Sequence, residues 1–418
     1  MLAALKFREY RIFWLGNATS NIGIYMLFAG RLWLMHELTE SKIMLGILTF
    51  ASAVPILMFS MWGGVVADRV NRVRLVTITR ALFACTAILT GLLIAFDLIL
   101  PWHLILISLI NGILLSFDIP SRQAMVPNLL PREHLVNAYA LQSMLGTGSA
   151  IIGPTFLPLI IKIWGMSGVF IFIGVAYAFT TLMFSQLNKQ KIYQTVKNQK
   201  PWTDLLEGLA YIRINGVMIS LISIGIITGI FAAPYMTLLP DYVAKVLSGN
   251  VESYGYLLLS SGIGGMFGAI AMAQFGRLRQ SSSVPMLTGF GLRISLNYVQ
   301  IVTGLGLGIS LIFFSITNSF HISIIIIAVV GAFSVTFQTI NNTFLQTIIE
   351  DKYRGRVSSI HQLGWGASAF GGLLLGILAQ SFGTQFALAL CATIATVSIF
   401  ALCLYIKRFP YANTDTNK

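Results

Sequence analysis

Long apolar runs alternate with short polar breaks from one end of the chain to the other. One helix needs about twenty mostly apolar residues to cross the hydrocarbon layer of a bilayer. Runs of that length lie at roughly 12–35, 43–66, 75–96, 101–121, 136–161, 166–187, 215–239, 252–275, 294–316, 321–345, 356–380 and 384–406. The pattern predicts an all-α polytopic membrane protein with twelve transmembrane helices, and an even count puts both termini on one side.

Composition agrees with the pattern. Only 10% of the 418 residues are charged and 56% are hydrophobic, whereas a soluble domain carries about 25% charged residues. Mean hydropathy is +0.80. The net charge of +13 is a topology signal here and not a nucleic-acid footprint. Of the 27 Lys and Arg, 23 fall on the side of the N-terminus; Arg31, Lys42, Lys162 and Lys245 are the others. Basic loops stay cytoplasmic, so both termini are expected in the cytoplasm of a multi-pass protein of the inner membrane. Cys85, Cys391 and Cys403 lie within apolar runs, have no zinc-type spacing and are read as packing residues. No metal site and no cofactor is expected. His36, His103, His134, His321 and His361 are scattered over five loops on both sides, which argues against an enzyme.

The chain divides into a six-helix half at 1–187, a linker at 188–214 and a second six-helix half at 215–418. In the linker, Trp202, Leu205, Leu206, Leu209 and Ile212 recur at helical spacing, as in an amphipathic helix lying on the membrane face. Gly146, Gly148 and Gly153 match Gly364, Gly366 and Gly371 at a constant offset of 218, which suggests that the halves are pseudo-repeats.

Between spans 2 and 3 the chain reads GGVVADRVNRVRLV (63–76), a dense knot of mixed charge. Gly64, Asp68, Arg69, Arg72 and Arg74 closely resemble the loop signature of the Major Facilitator Superfamily. Asn71 stands where that family usually has Gly; Asn tolerates a left-handed turn next best. As a latch, Gly64 would let a helix approach closely, and Asp68 would engage an arginine or a helix N-terminus of the other half. The second half's counterpart, GRLRQSSS (276–283), keeps the basic residues without the acid. The segments 117–141 and 341–360 are similar to the branch holding the bacterial enterobactin exporter and the macrolide-efflux drug:proton antiporters. Gly153 and Pro154, in IIGP, resemble part of the superfamily's antiporter signature, with Phe156 and Leu157 where a Gly-Gly often follows.

The resemblance implies a Major Facilitator fold with a central cavity lined by spans 1, 4, 7 and 10. Candidate cavity residues are therefore Asn17, Asn21 and Arg31 on one face of span 1, Asn111 in span 4, Tyr235 in span 7, and Gln338 and Asn341 in span 10. Arg31 has two readings, an anion-facing or gating site and a side chain snorkelling to the outer surface. Asn17 and Asn21 read as interhelical glue or as substrate contacts. Asp118 and Arg122, one turn apart, form a candidate proton-coupling pair or a satisfied helix end. Asp241 is expected at the outer surface, which leaves no clear mid-membrane acid. The resemblance implies a monomeric secondary carrier of a small molecule in the lipid bilayer, coupled to protons and exporting a siderophore-like metabolite or amphipathic drug. An importer of a ferric siderophore or vitamin on the same fold is the alternative.

Overall fold

The computed structural model describes residues 3–187, 201–281, 289–350 and 353–408. The described chain forms α1 (Arg8–Thr39), α2 (Lys42–Arg69), α3 (Arg72–Ala95), α4 (Pro101–Met125), α5 (Leu135–Ser185), α6 (Pro201–Ile214), α7 (Gly216–Ile227), α8 (Tyr235–Asp241), α9 (Val251–Ser281), α10 (Gly289–Ile316), α11 (Phe320–Ile348), α12 (Arg354–Phe382) and α13 (Thr384–Arg408). Nine helices among the described residues are long and apolar enough to cross a membrane. One of them, α5, is 51 residues long and broken at Gly165, whose φ of 69° and ψ of −175° are readily reached without a Cβ. Its limbs, 135–164 and 166–185, both pack on α1, the first at Gly153 against Ile22 and the second at Tyr177 against Gly23.

Polar residues at the run boundaries start the helices. Ser41 accepts from the Met44 amide at α2, and Asn215 accepts from the Val217 and Met218 amides at α7. Asn71 does the same for α3, accepting from the Arg74 amide at 3.0 Å. Its φ is −65°, so its role is capping and not the left-handed turn expected of it. Pro234 and Pro240 leave the candidate membrane span Gly216–Val246 irregular, because neither has a backbone N–H to give the helix ladder. That span runs as α7, a π-helical turn at Thr228–Ala232, α8 and a second π-helical turn at Tyr242–Val246.

Helices α1 to α5 pack among themselves, as do α7 to α13. The glycines that match between the halves are packed unequally. An added Cβ on Gly153 would lie 2.7 Å from the Ile22 carbonyl of α1, and one on Gly371 would lie 2.2 Å from the Ile230 carbonyl, in the matching first crossing of the second group. Gly146 and Gly148 would meet nothing within 4 Å. Gly364 lies outside the residues whose side-chain surroundings are described. Cys391 and Cys403 are buried, but Cys85 is exposed, contrary to its reading as a packing residue.

Two ends of the bundle need names. The linker end carries Arg69 and α6; the far end carries Glu40 and Gly165. Of the linker, 188–200 is outside the described residues, while α6 is docked: Tyr211 stacks on Tyr353 with ring centroids 4.1 Å apart, and its hydroxyl accepts from the Glu350 amide. Ile212 is buried, and Leu206 and Leu209 are exposed. The two groups meet where α2 packs on α12 and α5 on α9. Among the described residues this seam runs from the far end to mid-bundle. Thr49 and Thr237 share a hydrogen bond of 3.2 Å across it, Trp33 stacks on Tyr254, and a Cβ on Gly46 would lie 2.8 Å from the Gly372 carbonyl.

Candidate functional site

The polar residues of the first group converge on Asp118 of α4, which is fully buried. Arg80 of α3 donates to its Oδ2 at 2.7 Å, and Thr79 donates to its Oδ1 at 3.1 Å. Arg122, one turn on, is the looser partner, with Nε 3.5 Å from Oδ2. Its Nη1 reaches the amide oxygens of Asn17 and Asn21 in α1 at 3.4 and 3.3 Å. The Arg80 guanidinium also lies over the Tyr177 ring, 5.6 Å from its centroid. Asp118 and Arg122 are thus brought together as their spacing predicts, and with them Asn17 and Asn21. The sequence reading missed Arg80, which it counted with the loop arginines. The available signal was its depth, two turns inside α3.

Arg31 does not snorkel to the surface. It is 7% exposed, and its Nη1 donates to the Ser108 hydroxyl of α4 at 2.8 Å. It lines a crevice with Phe28, Leu32, Leu48, Thr49 and Ser52, directly beneath the Thr49–Thr237 contact of the seam.

Other candidates are spent within their own helix group. Asn111 accepts from Thr86 at 3.0 Å. Asn341 accepts from Gln300 at 2.8 Å and donates to the Leu221 carbonyl. The Tyr235 hydroxyl bonds to Ser261, and Gln338 is exposed, reaching Ser334. Pro154 is buried in α5 beside Gly153.

The loop between α2 and α3 is partly reassigned. Arg72 donates to the carbonyls of Ala67 and Ala124, both at 3.0 Å, tying the ends of α2 and α4. Arg69 and Arg74 are exposed. The close approach in this conformation belongs to Gly63, where a Cβ would lie 2.0 Å from the Ser116 carbonyl; at Gly64 it would meet nothing within 4 Å. The side chain of Asp68 is outside the described residues, as are the side chains of 275–281 and all of 282–288 in the second loop.

A second cluster stands at the far end. Asp241 stands at this end of the bundle, and its side chain is 0% exposed. His36 Nδ1, Lys42 Nζ and Lys245 Nζ lie 3.8, 3.9 and 3.8 Å from its carboxylate oxygens. The Thr384 hydroxyl donates to it from α13. His36 and Lys42 come from the first group, Asp241 and Thr384 from the second. Lys42 also donates to the Ala379 carbonyl of α12, and Lys245 pairs with exposed Glu40 at 3.1 Å. The signal was present in the sequence: Asp241 is the one carboxylate in the run 216–246.

Long apolar helices in two packed groups define a polytopic integral membrane protein, and its family and relatives are transporters, not enzymes. The chain matches the transmembrane secretion effector family over residues 1–417, and it belongs to that family, within the Major Facilitator Superfamily. It is 26% identical over 400 residues to the staphyloferrin A transporter of Staphylococcus aureus, covering 95% of this chain and 94% of that one. It is 22% identical over 359 residues to macrolide efflux protein A of Streptococcus pyogenes, 85% of each chain. It superposes on the nucleoside transporter NupG with a TM-score of 0.74 at 14% identity, covering 95% of this chain and 99% of that one, a likeness of fold alone.

Proposed function

We propose that this transporter is a proton-coupled exporter of a siderophore-like metabolite or an amphipathic drug, working by alternating access. The observation that carries the alternating-access reading is the seam. Its contacts occupy the far half of the bundle, and its ion contacts at Asp241 link residues from both groups. Separating the groups there opens one side of the membrane; closing them leaves the other side accessible. The efflux and siderophore-transport names of the relatives support export of such cargo.

The division is two six-helix halves, 1–187 and 215–418, joined by 188–214. Nine apolar crossings are supplemented by the second limb of α5, by α1 and by α12, giving twelve. The basic bias puts the linker end and both termini in the cytoplasm, so the conformation described here is closed to the outside. The protein acts as a monomer in the cytoplasmic membrane. Asp118 with Arg80 and Arg122 is the buried ionisable centre for proton coupling. Gly64, Asp68, Arg69, Arg72 and Arg74 form the cytoplasmic latch used in the opposite state, while Gly153, beside Pro154, lets α5 approach α1 closely.

Direction and cargo are tested by comparing cells lacking the gene with their parent under iron limitation, using untargeted mass spectrometry of cytoplasm and medium. A metabolite trapped inside the mutant and missing from its medium is expected. A compound left unused in the mutant's medium would make the protein an importer. Proton coupling is tested in proteoliposomes, where an imposed pH gradient should drive uptake of the identified cargo against its concentration.

A further inference from the structure

We infer that the cargo is an anion bearing carboxylate-type oxygens, received by Arg122 with Asn17 and Asn21, with Arg31 as a second contact. This rests on the reading of the chain as a carrier with its site between α1 and α4.

Charge balance carries the argument. The described helices of the first group hold three guanidiniums inside the bundle, Arg31, Arg80 and Arg122, against one carboxylate, Asp118. Arg80 takes the short contact to that carboxylate at 2.7 Å. Arg31 is left with a backbone carbonyl and the Ser108 hydroxyl. Arg122 is left with two amide oxygens and a 3.5 Å approach to the shared carboxylate. Buried charge without a counter-charge is costly, so an excess of two cations calls for anions from elsewhere.

The hydrogen bonds lean the same way. Asn17 Nδ2, Arg80 Nε and Arg122 Nε are buried with no hydrogen-bond partner, and so is the Tyr177 hydroxyl, which is also able to donate. The unspent capacity around Asp118 is therefore donor capacity. Anionic oxygens are the acceptors that form the strongest bonds with such groups. Arg122 is reachable, since its side chain is 19% exposed. The opposite wall offers no rival: among the described residues, the one charged side chain buried in α7 to α13 is Asp241, at the far end. A cationic cargo would meet two unneutralised arginines, and a neutral one would leave the donors idle. Arg31 lies ten residues beyond Asn21 on α1, about 15 Å along the axis. A compact anion engages one arginine at a time, whereas an elongated one with an anionic group at each end spans both.

The test uses the full-length protein in detergent, without a gradient. The probes are tricarballylate (a small tricarboxylate), its neutral trimethyl ester and the cation tetraphenylphosphonium. Ligand-induced thermal stabilisation and tryptophan fluorescence report binding. The acid should bind, with an affinity that falls as salt rises; the ester and the cation should bind at least tenfold more weakly. Arg122→Gln and Arg31→Gln should each weaken the acid about tenfold, and Arg122→Lys should restore most of the loss at that position. Equal binding of acid and ester, no acid-specific stabilisation into the tens of millimolar, or full affinity in Arg122→Gln would each overturn the proposal. If a glutamine variant does not fold, the acid–ester comparison on the wild type and the lysine variant still decide. Because binding is read without transport, failure of export or of proton coupling leaves this result untouched, and the converse holds.

Discussion

Two buried carboxylates, Asp118 and Asp241, have opposite surroundings. Asp118 is gripped at short range by Arg80 and Thr79, neighbours on one helix of its own group. Asp241 is approached by three basic groups at 3.8–3.9 Å, two of them from the other group. Its Oδ1 and the His36 Nδ1 have no hydrogen-bond partner. Short, aligned contacts inside one group make an anchor that moves with that group. Longer ionic contacts across a seam make a clamp that is able to open without first breaking an optimal hydrogen bond. The difference separates a charge held within one helix group from one shared between two.

The comparison is broken most severely at Asp118. Asp118→Asn leaves Arg80 buried without its counter-charge, and removing one partner of such a pair costs about 3–5 kcal/mol. The expected result is a large drop in melting temperature in detergent, or loss of folded protein. An unchanged melting temperature would mean that Asp118 is not an anchor.

At Asp241 the effect should be on conformation. Asp241→Asn weakens the clamp while keeping shape, and a coupling of roughly 1–3 kcal/mol shifts the open population about 5- to 150-fold. Thr237→Cys, in a background with exposed Cys85 replaced by Ser, places a thiol under the seam. Its reaction with a membrane-impermeant reagent should speed up by that factor in the Asp241→Asn protein. Equal rates would remove Asp241 from gating.

Gly63→Ala and Gly64→Ala sharpen the anchor side, because Gly63 meets α4 at Ser116, two residues from Asp118. A methyl 2.0 Å from the Ser116 carbonyl forces α2 and α4 apart. Overpacking of this kind costs about 1–3 kcal/mol, whereas Gly64→Ala should stay within about 0.5 kcal/mol. Thermal unfolding of the two variants gives the answer, and a neutral Gly63→Ala would show that the helices are not locked there. The smallest effect is expected at the rim of the clamp. Glu40 is 73% exposed, and a surface pair like Glu40–Lys245 contributes about 0–1 kcal/mol. Glu40→Gln should therefore hardly alter the labelling rate at the seam. A change as large as that from Asp241→Asn would move the clamp's centre to the rim.

Helical class, membrane residence and family were all legible in the chain, because a bilayer demands long apolar runs and satisfied backbone wherever a segment crosses it. Half of the inner cluster was legible too, since Asn17 with Asn21 and Asp118 with Arg122 each recur at one-turn spacing on a single helix. Arg80 was not, because it reaches Asp118 from another helix, 38 residues away along the chain. The partners of Asp241 were not legible either, because His36, Lys42 and Thr384 reach it from helices distant in sequence.

The order of residues alone determined which segments are helices, where polar caps start them, and that a glycine at 165 or a proline at 234 interrupts them. These are local outcomes of backbone sterics and hydrogen bonding. Only the tertiary structure decided that Arg80 and not Arg122 is the close partner of Asp118, that Gly63 and not Gly64 meets α4, and that Asp241 lies among basic side chains drawn from both groups. Each of those depends on how helices distant in sequence pack side by side, and no spacing along a single chain specifies that.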